Sequence, residues 1–219
     1  MPVDLRYPDG KVVSHPDGVT GLEVAESIGP RLARAAVAVK VDGDLFDLSR
    51  PITEGGEFAV ITLESDDGLH ILRHSSAHVM AQAVLDLFEG ATFAIGPAIA
   101  DGFYYDFEVA EPFHPDDLVL IEKRMAEIIS EDQPFERVAM SRDEALRVFA
   151  EHKFKVEIIE GVDQSEVSEG KEVTAYKNLG FIDLCLGPHL PSTSRIPAVK
   201  LLRSSGAYWR GDEKREQLQ

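Results

Sequence analysis

Two pairs of residues carry the chemistry that is easiest to see in this sequence. His74 and His78 stand four apart in "RHSSAHVMAQAV", and Cys185 and His189 stand four apart in "DLCLGPH", with Asp183 two residues before the cysteine. On a helix, a spacing of four puts two side chains on one face. Ile71, His74, His78, Ala81 and Leu85 then share a face that is otherwise apolar, so both imidazoles point inward or into a pocket. One reading is a pair of core histidines satisfied by hydrogen bonds. In "DLCLGPH", Gly187-Pro188 prevents an ordinary helix and makes a shaped loop after the short strand "GFIDL". Together His74, His78, Cys185 and His189 have the ligand types and paired spacing of a zinc site with three histidines and one cysteine. The competing reading is a metal-free hydrolytic pocket in which imidazoles position water beside a lysine tuned by burial.

The elements that must position these residues follow from pattern. A helix over about Leu69–Phe88 carries both histidines. Amphipathic helices are expected near Asp116–Ile129, with an apolar stripe at Leu118, Ile121, Met125 and Ile128, and near Ser141–Ala150, where Ser141 and Glu144 form a capping box. Strands are expected at "GFYYDFEV", "PFERVAM", "KVEIIE", "EVTAYK", "GFIDLC" and "IPAVKLL", in a mainly antiparallel sheet. The active cleft is expected between the histidine helix and that sheet.

Residues 1–64 read as a separate small domain. "VDLRYPDGKVVSHP" alternates apolar and polar residues around a Pro-Asp-Gly turn, which signals a hairpin. "TGLEVAESIG" opens with Thr20 and Glu23 at capping-box spacing and closes on Gly29-Pro30, so it reads as a short helix. "AAVAVKVDGDLFDL" is a second hairpin turning at Asp42-Gly43, and "EFAVITL" a last strand. Strands, helix, then strands is a ubiquitin-like β-grasp order. The acidic run "ESDDG" marks the boundary, which leaves 65–219 as a larger α+β domain.

Composition narrows the classes. The net charge of −17 opposes general affinity for phosphate backbones, so any nucleic-acid partner docks locally. "EVAEPFHPDD" and "EGVDQSEVSEGKE" are strongly acidic. Arg195, Lys200, Arg203, Arg210, Lys214 and Arg215 make a basic cluster that serves either as a docking edge or as a solvated tail. The lone cysteine makes no internal disulfide. No stretch approaches the roughly 20 apolar residues of a membrane span and no signal-peptide pattern is present, so a cytoplasmic location with no membrane partner is expected.

The segments "RHSSAHVMAQAV", "AIGPAIADGFYYDF", "LIEKRMAEII", "FIDLCLGPHLPST" and "LLRSSGAYWRGD" closely resemble the N-terminal portion of bacterial threonyl-tRNA synthetases, and the likeness runs the whole length of the chain. The first part resembles the TGS domain of that family and the rest its editing domain, which hydrolyses misacylated seryl-tRNA. The resemblance implies proofreading of the tRNA(Thr) acceptor end carrying serine, with the catalytic domain of the synthetase as a partner. No segment resembles the class II aminoacylation motifs, so ligation by this chain is not expected. Serine lacks one methyl of threonine, a difference that supports discrimination of only about 1–3 kcal/mol, so a second sieve is needed.

The same resemblance implies roles for particular residues. His74, His78, Lys155 and Cys185 are the expected catalytic set, with Lys155 and His74 positioning water. Asp183 is expected to hold the serine ammonium or hydroxyl, and His189 to shape the pocket beside it. Gly96, Pro97 and Tyr104 are expected near the terminal adenosine, with Tyr104 or Tyr105 stacking on the base. Without the resemblance, Lys155 reads as a surface strand lysine and the tyrosines as packing residues. Metal-free hydrolysis with no cofactor ranks first, and a zinc ion on His74, His78, Cys185 and His189 second. Related alanyl-type editing proteins hold zinc with this arrangement. A nucleophilic Cys185 is a further option, and a non-catalytic RNA-binding module is the reading from another class.

Overall fold

A computed structural model describes residues 1–162, 168–169 and 172–219. Most of the acidic run Glu160–Glu172 therefore lies outside the described residues.

The chain divides into two compact units, Met1–Leu72 with Gly187–Pro191, and Arg73–Leu186 with Ser192–Gln219. In the first, β1 (Val3–Arg6), β2 (Val12–His15), β3 (Val19–Thr20), α1 (Gly21–Ile28), α2 (Pro30–Ala35), β4 (Ala36–Val41), β5 (Asp44–Asp47), β6 (Pro51–Ile52) and β7 (Gly56–Thr62) follow in order. The sheet runs β2-β1-β7-β4-β5, with β1 parallel to β7 and the other pairings antiparallel. This is the β-grasp arrangement. The hairpins turn where the sequence places them, the second through Asp42 and Gly43, both at positive φ. Thr20 and Glu23 close the expected capping box on α1, with the Thr20 N–H donating to Glu23 Oε2 at 2.8 Å. Central strand β4 is buried at five of its six positions, and Val39 and Val41 pack with Leu5, Val24, Ile52 and Phe58. Such burial stabilises by about 1.5–3 kcal/mol per large apolar side chain.

The helix α3 (Asp66–Leu87) starts three residues earlier than its apolar spacing predicts, because Ser65 Oγ accepts the Gly68 N–H at 3.1 Å and Asp66 and Asp67 occupy the first turn. Gly68 is obligatory there, since a Cβ would stand 1.9 Å from the Thr62 carbonyl oxygen.

Beyond Leu72 follow β8 (Thr92–Phe93), β9 (Ala98–Ile99), β10 (Gly102–Phe103), β11 (Phe107–Glu108), α4 (Pro115–Ser130), β12 (Glu136–Met140), α5 (Arg142–Val148), α6 (Lys153–Glu157), β13 (Ser168–Glu169), β14 (Glu172–Asn178), β15 (Phe181–Leu184), β16 (Ala207–Tyr208) and β17 (Gln217–Leu218). Strand β14 is central and antiparallel to β12, β13 and β15. The Ser141–Glu144 capping box on α5 is present, and the stripe of α4 buries Ile121, Met125 and Ile128. The fold is α+β with mainly antiparallel sheets.

Three expected strands differ. "KVEIIE" is helical: α6 runs into a π-turn at Ile158–Val162, and Phe154, Lys155, Ile158 and Ile159 are buried at helical spacing. Its β-branched residues mimic a strand, but its burial repeats every four. "GFYYDFEV" forms only the two-residue ladders β10 and β11, interrupted at the tyrosines. "IPAVKLL" forms no strand: Pro197 has no N–H, and the Leu201 N–H is taken by Glu122 Oε1 at 2.6 Å. Within the basic cluster after Pro191, three side chains are held in ion pairs, two of them on one carboxylate. Lys200 pairs with Glu122 at 2.7 Å, Arg210 with Glu157 at 3.2 Å, and Arg215 with Glu157 at 2.6 Å.

Candidate active site

Strand β15 explains how one short segment supplies both core and chemistry. Side chains alternate across a strand. Ile182 and Leu184 join the apolar cluster with Ala175, Val173 and Phe154, whereas Phe181, Asp183 and Cys185 share the other face. On α3, His74 and His78 form a pair with ring centroids 4.9 Å apart, and Phe181 meets His78 edge-on at 6.2 Å. His74, His78 and Cys185 each offer a donor atom, and these atoms lie within 4.8 Å of one another.

Asp183, at 1% exposure, is the node of the site. Its Oδ1 accepts the Leu184 N–H at 2.7 Å and lies 2.6 Å from Lys155 Nζ. Its Oδ2 accepts a short hydrogen bond from the Tyr105 hydroxyl and lies 3.4 Å from His78 Nε2. A carboxylate offers about four lone-pair directions, and four protein groups face these two oxygens.

Lys155 is equally enclosed. Its ammonium donates to the Ala94 carbonyl at 2.5 Å and to the Tyr105 hydroxyl at 3.0 Å, besides its pairing with Asp183. Three N–H donors therefore meet three oxygens. The far side is aromatic, with Nζ 4.6 Å from the Phe93 ring centroid and 5.5 Å from that of Tyr105. At 2% exposure the lysine is no surface residue, contrary to the strand reading.

Burial and these charges fix protonation. His78 is pushed down to about 3, first by burial and then by the Lys155 charge, so it is a neutral imidazole at physiological pH. Asp183 does not hold it charged, because Lys155 compensates that carboxylate at closer range. Tyr105 is raised well above the usual phenol range by burial, by the Asp183 charge and by its bond to that carboxylate, so it remains a hydroxyl donor. Half-buried His152 is lowered by burial and by Lys155, against opposing pulls from Asp183 and Glu151.

The remaining expected residues fall as follows. Cys185 is buried, and its carbonyl accepts from Thr174 Oγ1 at 2.8 Å. His189 is buried in the segment that groups with the first unit, where its N–H donates to Asp47 Oδ1 at 3.0 Å. Gly96 and Pro97 lie between β8 and β9, and a Cβ on Gly96 would stand 2.0 Å from the Tyr105 ring. Tyr104 is 41% exposed and Tyr105 is 5% exposed. Tyr105, with its hydroxyl on Asp183, is thus unavailable for base stacking. Sequence reasoning missed Phe93, Ala94 and His152 as neighbours of the site, and it placed Tyr105 against a base rather than on Asp183.

Residues 4–62 match the TGS domain, and residues 173–219 match the threonyl and alanyl tRNA synthetase second additional domain. Over 219 residues the chain is 48% identical to the threonine–tRNA ligase of Carboxydothermus hydrogenoformans and 49% identical to those of Burkholderia lata and Paraburkholderia phymatum. Each match covers 99% of this chain and 34% of the relative, so the chain spans about a third of the length of these ligases, corresponding to their N-terminal part. Among the described residues, no helix is long and apolar enough to cross a membrane.

Proposed function

We propose that this chain is a proofreading module that hydrolyses the ester joining serine to tRNA(Thr). The observation that carries the reading is the buried set Lys155, Asp183, Tyr105 and His78 beside His74 and Cys185. Burying that much polar and charged chemistry, even mutually paired, is costly, and it occurs in a chain similar to threonine–tRNA ligases. In this reading, residues 1–64 are the TGS-type domain and 65–219 the editing domain. The tRNA acceptor end and the ligase catalytic domain are the partners, in the cytoplasm.

The reaction needs little beyond positioning, because an ester is already activated. Water adds to the ester carbonyl carbon, giving up a proton to half-buried His74. The tetrahedral intermediate then collapses, and the departing ribose oxygen regains a proton, freeing serine and tRNA. Neutral His78 and Cys185 line the wall on which the carbonyl or the terminal ribose rests. Asp183 and Lys155 hold each other and Tyr105 in place. With all its oxygen directions already faced by protein groups, Asp183 is a scaffold in this reading, and the serine ammonium is held elsewhere. Gly96, Pro97 and exposed Tyr104 receive the terminal adenosine. A pocket closed to one extra methyl admits serine and turns threonine away.

A second reading has one observation in its favour. The donor atoms of His74, His78 and Cys185 are near enough to converge on one ion, and a neutral His78 is the state a ligand needs. With His189 as fourth ligand, these residues would hold zinc, which would supply Lewis acidity toward the ester carbonyl or bound water. The experiment compares His74→Ala with the parent and the parent with and without EDTA. His74→Ala should lose most Ser-tRNA(Thr) deacylation while its circular dichroism is unchanged, and EDTA should change neither rate nor melting temperature. Stoichiometric zinc whose removal abolishes hydrolysis would transfer the proposal to the second reading. Full activity in His74→Ala, His78→Ala and Cys185→Ala alike would reject both.

A further inference from the structure

The buried lysine needs something to hold its charged end in place, and oxygen contacts account for only part of its surroundings. The Ala94 carbonyl, the Tyr105 hydroxyl and Asp183 Oδ1 take its three protons. Phe93 is 1% exposed and directly precedes Ala94, so β8 and the residue just after it supply an aromatic ring and an acceptor to the same ammonium, with Nζ 4.6 Å from the ring centroid. A cation at that distance is attracted by the negative face of the ring, and the attraction grows as water is excluded. The ring is itself fixed by His152 at 4.8 Å, Phe181 at 5.7 Å and Tyr105 at 6.0 Å. An aliphatic residue of similar volume would fill the space yet leave only the more distant Tyr105 ring, 5.5 Å away, facing that side of the ammonium.

We propose that Phe93 is a positioning residue: its ring face pins the Lys155 ammonium so that Lys155, Asp183 and Tyr105 keep one fixed arrangement beside His78. Phe93 acts through Lys155 and touches no substrate. The kinetic consequence rests on the deacylase reading, whereas the placement of the lysine does not.

The test replaces Phe93, in the full chain, with phenylalanine carrying one, two or three ring fluorines. These nearly preserve shape while draining charge from the ring face. Deacylation of Ser-tRNA(Thr) should fall with each added fluorine, by about tenfold across the series, which corresponds to about 1.4 kcal/mol. KM should stay unchanged, and Phe93→Tyr should restore much of the rate lost in Phe93→Leu. A rate indifferent to fluorine count would overturn the proposal, because a merely space-filling ring predicts that indifference. Independently of activity, a carbon-13 lysine spectrum should show one side-chain methylene resonance shifted upfield by the ring, absent in Phe93→Leu and Lys155→Arg. If no lysine is shifted, the proposal fails even where the chain deacylates. If the chain deacylates nothing but the shifted lysine is present, the functional reading fails and the placement stands.

Discussion

Lys155 shows how much a single residue depends on its surroundings. A buried charge pair is costly to form, and removing one partner is worse, since the other is left uncompensated. Lys155→Met should therefore destabilise the chain by about 3–5 kcal/mol, because Asp183 stays buried and the Ala94 carbonyl and Tyr105 hydroxyl lose a donor. Adding Asp183→Asn should recover part of the loss, with a coupling of about 1–3 kcal/mol in urea-denaturation cycles. Strictly additive losses would show that the pair is not energetically joined. His78 makes the matching prediction for pH. Its folded value of about 3 lies below the ordinary 6.5, so under acid the unfolded chain takes up a proton that the folded chain refuses. Stability is then complete above pH 6.5 and declines as pH falls from 6.5 toward 3, by up to about 5 kcal/mol if this group acts alone. His152, lowered in the same sense, adds to the slope. A denaturation midpoint that falls more steeply below pH 6.5 for the parent than for His78→Gln would agree, and identical pH slopes for the two proteins would not.

At the scale of elements, α3, β15, α6 and the segment from β8 to Tyr105 meet to make the site, and Gly96 is where that packing is tightest. A methyl group at 96 would stand 2.0 Å from the Tyr105 ring, and neighbouring Phe93 and Phe107 leave the ring little room to yield. Gly96→Ala should cost about 1–3 kcal/mol and lower deacylation by disturbing the bond from Tyr105 to Asp183. Tyr105→Phe, without that bond, should mask much of the catalytic loss, as seen in single-turnover rates of the single and double variants. What the sequence made legible was local. Both capping boxes, both hairpins of the first unit and the four-residue spacing of His74 and His78 depend on neighbours within a few positions, and all are present. What it hid was long-range. Tyr105 meets Asp183 across 78 positions, and Lys155 meets the Ala94 carbonyl across 61, contacts to which no periodicity points. "KVEIIE" misled because β-branched residues suggest a strand, whereas burial of Phe154 and Trp209 against each other, ring centroids 4.9 Å apart, favours a helix there. The same helix anchors the basic tail: Glu157 receives Arg215, Arg210 and the Trp209 indole N–H.

For the whole molecule, charge and chemistry point in different directions. A chain of net charge −17, with Lys200, Arg210 and Arg215 of its basic segment paired internally, has little with which to attract a phosphate backbone over distance. In the proposed reading, recognition of an acceptor end then rests on the pocket, which makes hydrolytic selectivity the property to measure. The most direct test follows release of serine from Ser-tRNA(Thr) and of threonine from Thr-tRNA(Thr), by the same chain at equal substrate concentration. Serine should be released faster by about 10- to 200-fold, the range that one methyl group supports. Equal rates for the two substrates, or no hydrolysis of either, would contradict the account.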